Sequence, residues 1–365
     1  MSSTSTVRYK NTVQPVYTDG RDIDLQVAEL TGEAAQQKAS GASEKHIKKE
    51  AQTWTQIPEP LAADPTYYDR PMLNASVWSW AIPAYYYVGG LAGGALVLGA
   101  AVQCKRSSRF RRLVKRCHWI GVIGCCISGA LLVYDLGRPA RFLNMLRVFR
   151  PTSPMSMGAW TLCATSGAAF TALVFQGRDT PLALLGEIAG FAAGVMGMAL
   201  ATYTGVLVSN TAVPIWQASR RMLPVLFAAS AMTSVGSFFE LLDQNAEEAH
   251  ITKGFGTIGA VTEVTAAIIT EQQASEVPRV GRPFKRGVTG FMWRSAAVLT
   301  ASSVVIGMLP GKTRRKRLTS GVLGTLGSLL MRFAVEHAGN ASARDPRAGF
   351  HRQRAETFAQ RVASP

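Results

Sequence analysis

YDLGRPARFLNMLRVFRPTSPMSMGAW, residues 134–160, joins two long apolar runs. The first run closes on an acid, Asp135, and four arginines (Arg138, Arg141, Arg147 and Arg150) follow before the chain turns apolar again. A charge at the centre of a bilayer costs ~2.5–3.5 kcal/mol on insertion scales, so an acid at the end of a membrane helix needs a cation, water or a bound molecule. Two readings of Asp135 follow: an interfacial ion pair with Arg138 or Arg141, or a working proton carrier.

Composition supports the membrane reading. Hydrophobic residues make up 47% of the 365 positions and charged residues 17%, and mean hydropathy is positive. That is too apolar, and too clustered, for an ordinary soluble domain of this length. The formal charge of +16 does not point to nucleic acid, because the basic residues gather in connectors between apolar runs, where anionic lipid and topology explain them. A hydrocarbon core of ~30 Å needs about 20 apolar residues per helix. Runs near 80–103, 117–136, 157–176, 181–208, 222–242, 254–270, 291–310 and 318–337 meet that need, the sixth least well because Glu263 interrupts it. The expected fold is an all-α polytopic membrane bundle of about eight transmembrane helices over residues 71–340. Glycine-rich stretches such as GGLAGGALVLGAA (89–101) let such helices approach closely. Residues 1–70 read as a polar, largely disordered tail with one short helix near 24–37, and 341–365 as a second polar tail.

The five cysteines, Cys104, Cys117, Cys125, Cys126 and Cys163, show no CxxC spacing. An iron–sulfur cluster needs four thiolates in a defined array, so none is expected in this chain, and no metal site is expected either. Only His118 and His337 lie on the expected helices. If the helices alternate in direction, these two sit at opposite faces and cannot share a haem iron. Glu187 and Glu263 are expected as further buried acids, each either functional or simply hydrogen-bonded between helices.

Three stretches resemble the NrfD/polysulfide-reductase family of integral membrane subunits: WSWAIPAYYYVGGLAGGA (78–95), YDLGRPARF with PTSPMSMGAW (134–142, 151–160), and YTGVLVSNTAVPIW followed by RMLPVLFAAS (203–216, 221–230). The resemblance covers the first five helices. It implies a bundle of eight or nine helices without redox metal or haem, binding a quinone or quinol (menaquinone or ubiquinone) beside a ferredoxin-like iron–sulfur subunit. That partner wires it to a catalytic subunit, often a molybdopterin oxidoreductase, so this chain would not itself act on the terminal substrate. Tyr85 matches a family position where a polar residue such as histidine faces the quinone, and Tyr203 matches a tyrosine that contacts the head group. Trp80, Arg138 and Arg141 complete the expected pocket, with Asp135 as proton carrier. The chain departs from the family pattern at Ile82, where a polar residue can occur, and by having tyrosine at 85.

Alternation of the helices brings the start of the first, the end of the second and the end of the fourth to one face, so Tyr85, Asp135 and Tyr203 are expected to converge. Against this stands an interfacial aromatic belt, the expected role of Trp78 and an alternative for Trp80, Tyr85, Tyr86 and Tyr87. The arginine-rich connector is expected to dock an acidic iron–sulfur subunit. A secondary transporter, which would show paired repeats, and a passive anchor without a quinone site are the alternative functions. In a cell (plasma or inner) membrane the basic blocks 105–116 and 312–317 favour the cytoplasm for the opposite face, with the quinone face outside, while Arg138, Arg141, Arg147, Arg150, Arg220, Arg221, Arg279, Arg282, Lys285 and Arg286 on the quinone face favour the reverse.

Overall fold

The computed structural model describes residues 73, 75–137, 139–176, 182–310, 313–345 and 348–349. Nothing is described of the side chains at 139–141 and 143, and the expected tail and helix within residues 1–70 fall outside the described residues. The chain divides into two compact units, Met1–Asp64 and Pro65–Pro365, and the described residues belong to the second.

That unit is helical. In chain order it contains α1 (Ala81–Gln103), a 3-10 turn (Ser108–Phe110), α2 (Arg111–Leu136), α3 (Pro139–Arg147), α4 (Pro154–Phe175), α5 (Leu182–Ser209), α6 (Pro214–Ala218), α7 (Leu223–Leu241), α8 (Ala246–Ser275), α9 (Pro278–Lys285), α10 (Gly287–Met308) and α11 (Arg314–Ala343). Local sequence sets the boundaries. Gly137 ends α2 at φ 65°, the left-handed conformation that only glycine adopts without strain. Proline opens α4, α6, α7 and α9, where its missing N–H costs nothing. Ser153 caps α4 by accepting from the Ser156 amide at 3.4 Å.

Seven helices (α1, α2, α4, α5, α7, α10 and α11) are long and apolar enough to cross a membrane. The chain is a multi-pass membrane protein. The sixth expected run, 254–270, lies within α8, whose acids keep it below that apolarity. It nevertheless runs antiparallel along α7: a Cβ on Gly236 would meet Gly256 at 2.4 Å, and one on Gly259 would meet Met232 at 2.5 Å. Its mid-helix acid, Glu263, is tolerated because neighbouring helices bury it to 3% exposure, which residue-by-residue hydropathy does not register. Gly93 of α1 and Gly197 of α5 abut equally closely, each within 2.7 Å of the other's carbonyl if a Cβ were present. Small residues give these helices close packing in a solvent where the hydrophobic effect supplies none.

Contacts between connectors confirm the alternation. At the end where α1 begins, called here the near end, Ser79 meets Asp135, Tyr203 meets Pro154 and Arg279 pairs with Asp345 at 2.9 Å. At the far end Arg116 lies 3.7 Å from Glu248 and Arg317 lies 3.0 Å from Asp243. The Arg317 guanidinium, donating to Asp243, holds that exposed carboxyl below the usual carboxylate range. His118 and His337 lie toward opposite ends of the bundle, as alternation requires.

The near-end core is built on Trp216, which is fully buried and donates from Nε1 to the Val335 carbonyl at 2.9 Å. Trp78 stacks on it at 6.1 Å between ring centroids and meets Tyr86 edge-on at 6.4 Å. Trp78 is half-buried, with its ring packed against this core. Tyr85, Tyr86 and Tyr87 are also buried; all three point into the bundle because α1 is its central helix. The C-terminal helix extends past the expected domain limit, to Ala343, and Ala348 beyond it is buried.

A Cβ on Gly339 would fall 1.9 Å from Trp216 Cζ2. Gly339→Ala should destabilise the bundle by about 1–3 kcal/mol through overpacking, seen as a lower midpoint when thermal unfolding of the solubilised protein is followed by tryptophan fluorescence. An unchanged midpoint would show that the indole shifts freely.

Candidate functional site

The acid that closes α2 is held by the residues that precede α1. Asp135 Oδ1 accepts from the Ser79 amide at 2.9 Å and from the Ser79 hydroxyl at 2.5 Å. Two donors converge on one carboxylate oxygen, which fixes the side chain, and Oδ2 has no partner among the described residues. The expected ion-pair partners cannot be placed: Arg138 and the side chain of Arg141 lie outside the described residues. Arg147 and Arg150 are exposed at the same end.

A second clasp joins α5 to the start of α4. The Tyr203 hydroxyl donates to the Pro154 carbonyl at 2.5 Å, and the ring lies against Gly158, where a Cβ would be 2.2 Å from Tyr203 Cζ. A phenol has one O–H to donate, and here Pro154 takes it. Sequence reading cast Tyr203 as a donor to a quinone carbonyl; in this geometry its proton is given to Pro154 and only its lone pairs are left.

Tyr85 is 3% exposed. Its ring covers Gly89, and the Ser128 hydroxyl of α2 stands beside the same glycine. The buried Tyr86 and Ser128 hydroxyls have no hydrogen-bond partner among the described residues. Tyr85, Tyr203, Asp135 and Glu336 all lie within electrostatic range of Tyr86. Tyr85, Tyr203 and Asp135 thus all lie at the near end, around Tyr86. Trp80 lies apart from them: it is 59% exposed and packs at 5.9 Å against Tyr134, itself exposed, on the outer surface. Glu187, expected to be buried, is exposed in the first turns of α5, where only its backbone carbonyl is engaged, by Gln103 at 2.9 Å.

All three sequence stretches that shape this end are thus locked together. The sequence profile described as polysulphide reductase, NrfD, matches residues 70–242. Over these residues, just under half of the chain, the chain is similar to the NrfD family. Among curated relatives, the C subunit of polysulfide reductase from Wolinella succinogenes is 26% identical over 180 residues, covering 44% of this chain. The match spans about half of that relative's length, 56%. The NrfD match ends at the close of α7, so α8 to α11 are characterised by their own geometry alone.

Sequence reading missed Ser79, the residue that fixes Asp135, and Ser128; a lone serine carries no pattern. It also missed Arg332 and Glu336, buried in α11 at 1% and 3% exposure. These two carried a readable signal, because intramembrane charges four residues apart on one helix point to an interior polar face.

Asp135→Ala removes the acceptor of both Ser79 donors and should lower thermal stability by about 1–3 kcal/mol. Asp135→Asn keeps an acceptor oxygen and should lose less than half as much. Equal melting curves for the two variants and the wild type would show that the clasp contributes nothing.

Proposed function

We propose that this chain is the quinone-reactive membrane subunit of a multi-subunit oxidoreductase, exchanging electrons between a quinone pool and an iron–sulfur partner at the near end. The observation that carries this reading is the convergence of Tyr85, Tyr203 and Asp135 in the part of the chain that matches NrfD. A bound quinone supplies two-electron chemistry coupled to two protons. The residues present fit such a head group: the Tyr85 phenol and the Ser128 hydroxyl, the latter unpartnered among the described residues, supply donors, and the buried rings around them supply apolar walls.

In this reading Tyr85 donates to one head-group oxygen. Tyr203, held by Pro154, accepts from the O–H of the reduced form. Asp135, gripped through Oδ1, uses Oδ2 to take up or release a proton at the membrane surface. Trp80 and Tyr134, exposed on the outer surface at the same end, offer apolar surface to the isoprenoid tail. Arg138 and Arg141, with the exposed Arg147, Arg150, Arg220 and Arg221, make the near end basic, which suits docking of an acidic ferredoxin-like subunit and, through it, a molybdopterin-type catalytic subunit.

Tyr85→Phe removes only a hydroxyl, leaving a buried head-group oxygen unpaired at a cost of ~1–3 kcal/mol. Quinone-dependent turnover of the assembled complex should fall about tenfold to a hundredfold. Asp135→Asn should slow turnover and change its pH profile while quinone affinity stays near wild type. A passive anchor predicts wild-type quinone turnover in both variants at normal membrane levels, and that result would overturn the proposal.

A further inference from the structure

At the near end α9 passes into α10 through Arg286 alone, between Lys285 and Gly287. Gly287 makes the turn at φ 70°, a left-handed conformation that favours glycine. A Cβ on Gly290 would fall 2.8 Å from the Lys285 carbonyl carbon, so glycine lets the end of α9 lie against α10. The short helix α9 is amphipathic. Val280, Gly281 and Phe284 are buried, with Phe284 packed on Trp293 at 4.2 Å between ring centroids, while Arg282, Lys285 and the following Arg286 are exposed. A basic amphipathic helix of this kind lies in the head-group layer of a membrane.

On the surface of this corner lies an open groove of about 750 Å³. Lys285, Arg294, Phe291, Val298 and Leu299 line it around the buried Gly290, and no acid lines it among the described residues. Phe291 and Val298 are 73% and 63% exposed, and Arg294 between them is exposed as well. Arg294 stands on a helix long and apolar enough to cross a membrane, about 10 Å beyond Gly287 at 1.5 Å rise per residue. A guanidinium facing hydrocarbon is costly there unless it reaches the head groups and meets an anion. Its Nη2 donates back to the Lys285 carbonyl at 3.2 Å, which brings the guanidinium up to the level of Lys285. No carboxylate pairs with either cation among the described residues.

We infer that this groove binds one anionic glycerophospholipid, with its phosphate between Lys285 and Arg294 and an acyl chain along Phe291, Val298 and Leu299. Lysine supplies a point charge and arginine a planar fork of donors, and both suit a phosphodiester. Length and charge select the occupant. From Gly287 to Leu299 the helix rises about 18 Å, close to one leaflet, which is half of a ~30 Å core. A phospholipid has this form: an anion at one end and apolar chain for the depth of a leaflet. A second copy docked about a two-fold axis would present the same two cations from the other side, with no acid to meet them. The lipid joins α9 to α10 and touches none of the groups assigned to quinone, so the site stands independently of that reading.

The test uses the full chain with whatever subunits co-purify, freed of lipid in a nonionic detergent and titrated with dioleoylphosphatidylglycerol or dioleoylphosphatidylcholine, with bound lipid counted by native mass spectrometry. The first phosphatidylglycerol should bind at least tenfold more tightly than the first phosphatidylcholine, and glycerol 3-phosphate, which carries the charge without the chains, should not displace it. Lys285→Gln combined with Arg294→Gln should abolish the preference. Val298→Trp fills the apolar wall while keeping both charges, and should weaken phosphatidylglycerol binding at least fivefold. Lys115→Gln, at an exposed lysine of the far end, should leave it unchanged. Equal binding of the two lipids, or wild-type preference in both groove variants, would overturn the site. Displacement by glycerol 3-phosphate would reveal a site for soluble anions, and a dimer that takes up no lipid would place a second copy in the groove; either result also overturns it. No quinone is present in these measurements, so their failure leaves the quinone reading standing.

Discussion

Hydrocarbon offers no water to an unpaired polar group, and this constraint orders the whole bundle. Backbone polar groups are satisfied by making the spans helical, side-chain polar groups by facing them inward, and helices are brought together by glycine rather than by water exclusion. The abutting Gly236 and Gly256, and Gly93 and Gly197, are what allow α7, α8, α1 and α5 to enclose polar side chains. With that shielding, α8 can run beside α7 while burying Glu263.

At the near end the same constraint becomes a device for placing reactive groups. Asp135 is committed through one oxygen to Ser79, and Tyr203 through its only proton to Pro154. Each bond ties together two segments far apart in sequence, so the orientation of these side chains is set by the fold. Ser128 differs, since its buried hydroxyl is left without a partner among the described residues. The site thus combines fixed acceptors with a free donor, an arrangement suited to a ligand whose two oxygens alternate between carbonyl and hydroxyl.

Much of the architecture was legible because hydropathy over 20-residue windows is a direct physical readout of membrane insertion. All eight expected runs coincide with helices, and the weakness of the sixth, at Glu263, reflects a real acid in α8. Glu187 was misplaced because, along an apolar run, sequence does not say which side faces lipid, so an acid near a helix start can face out. Tyr203's role as donor failed on a backbone carbonyl, at Pro154, which no sequence pattern displays. The polar face of α11 that carries Arg332 and Glu336 was readable in principle, but the small residues along it, such as Gly324 and Ser328, dilute it in any averaged window.

The central claim, that the near-end cluster binds quinone, is tested most directly by photolabelling. A photoreactive quinone analogue, activated in membranes with the assembled complex, should attach within residues 79–89, 128–135 and 154–160 or at Tyr203, and excess native quinone should compete it away. Saturable labelling confined to α8–α11, or labelling that native quinone does not displace, would contradict it.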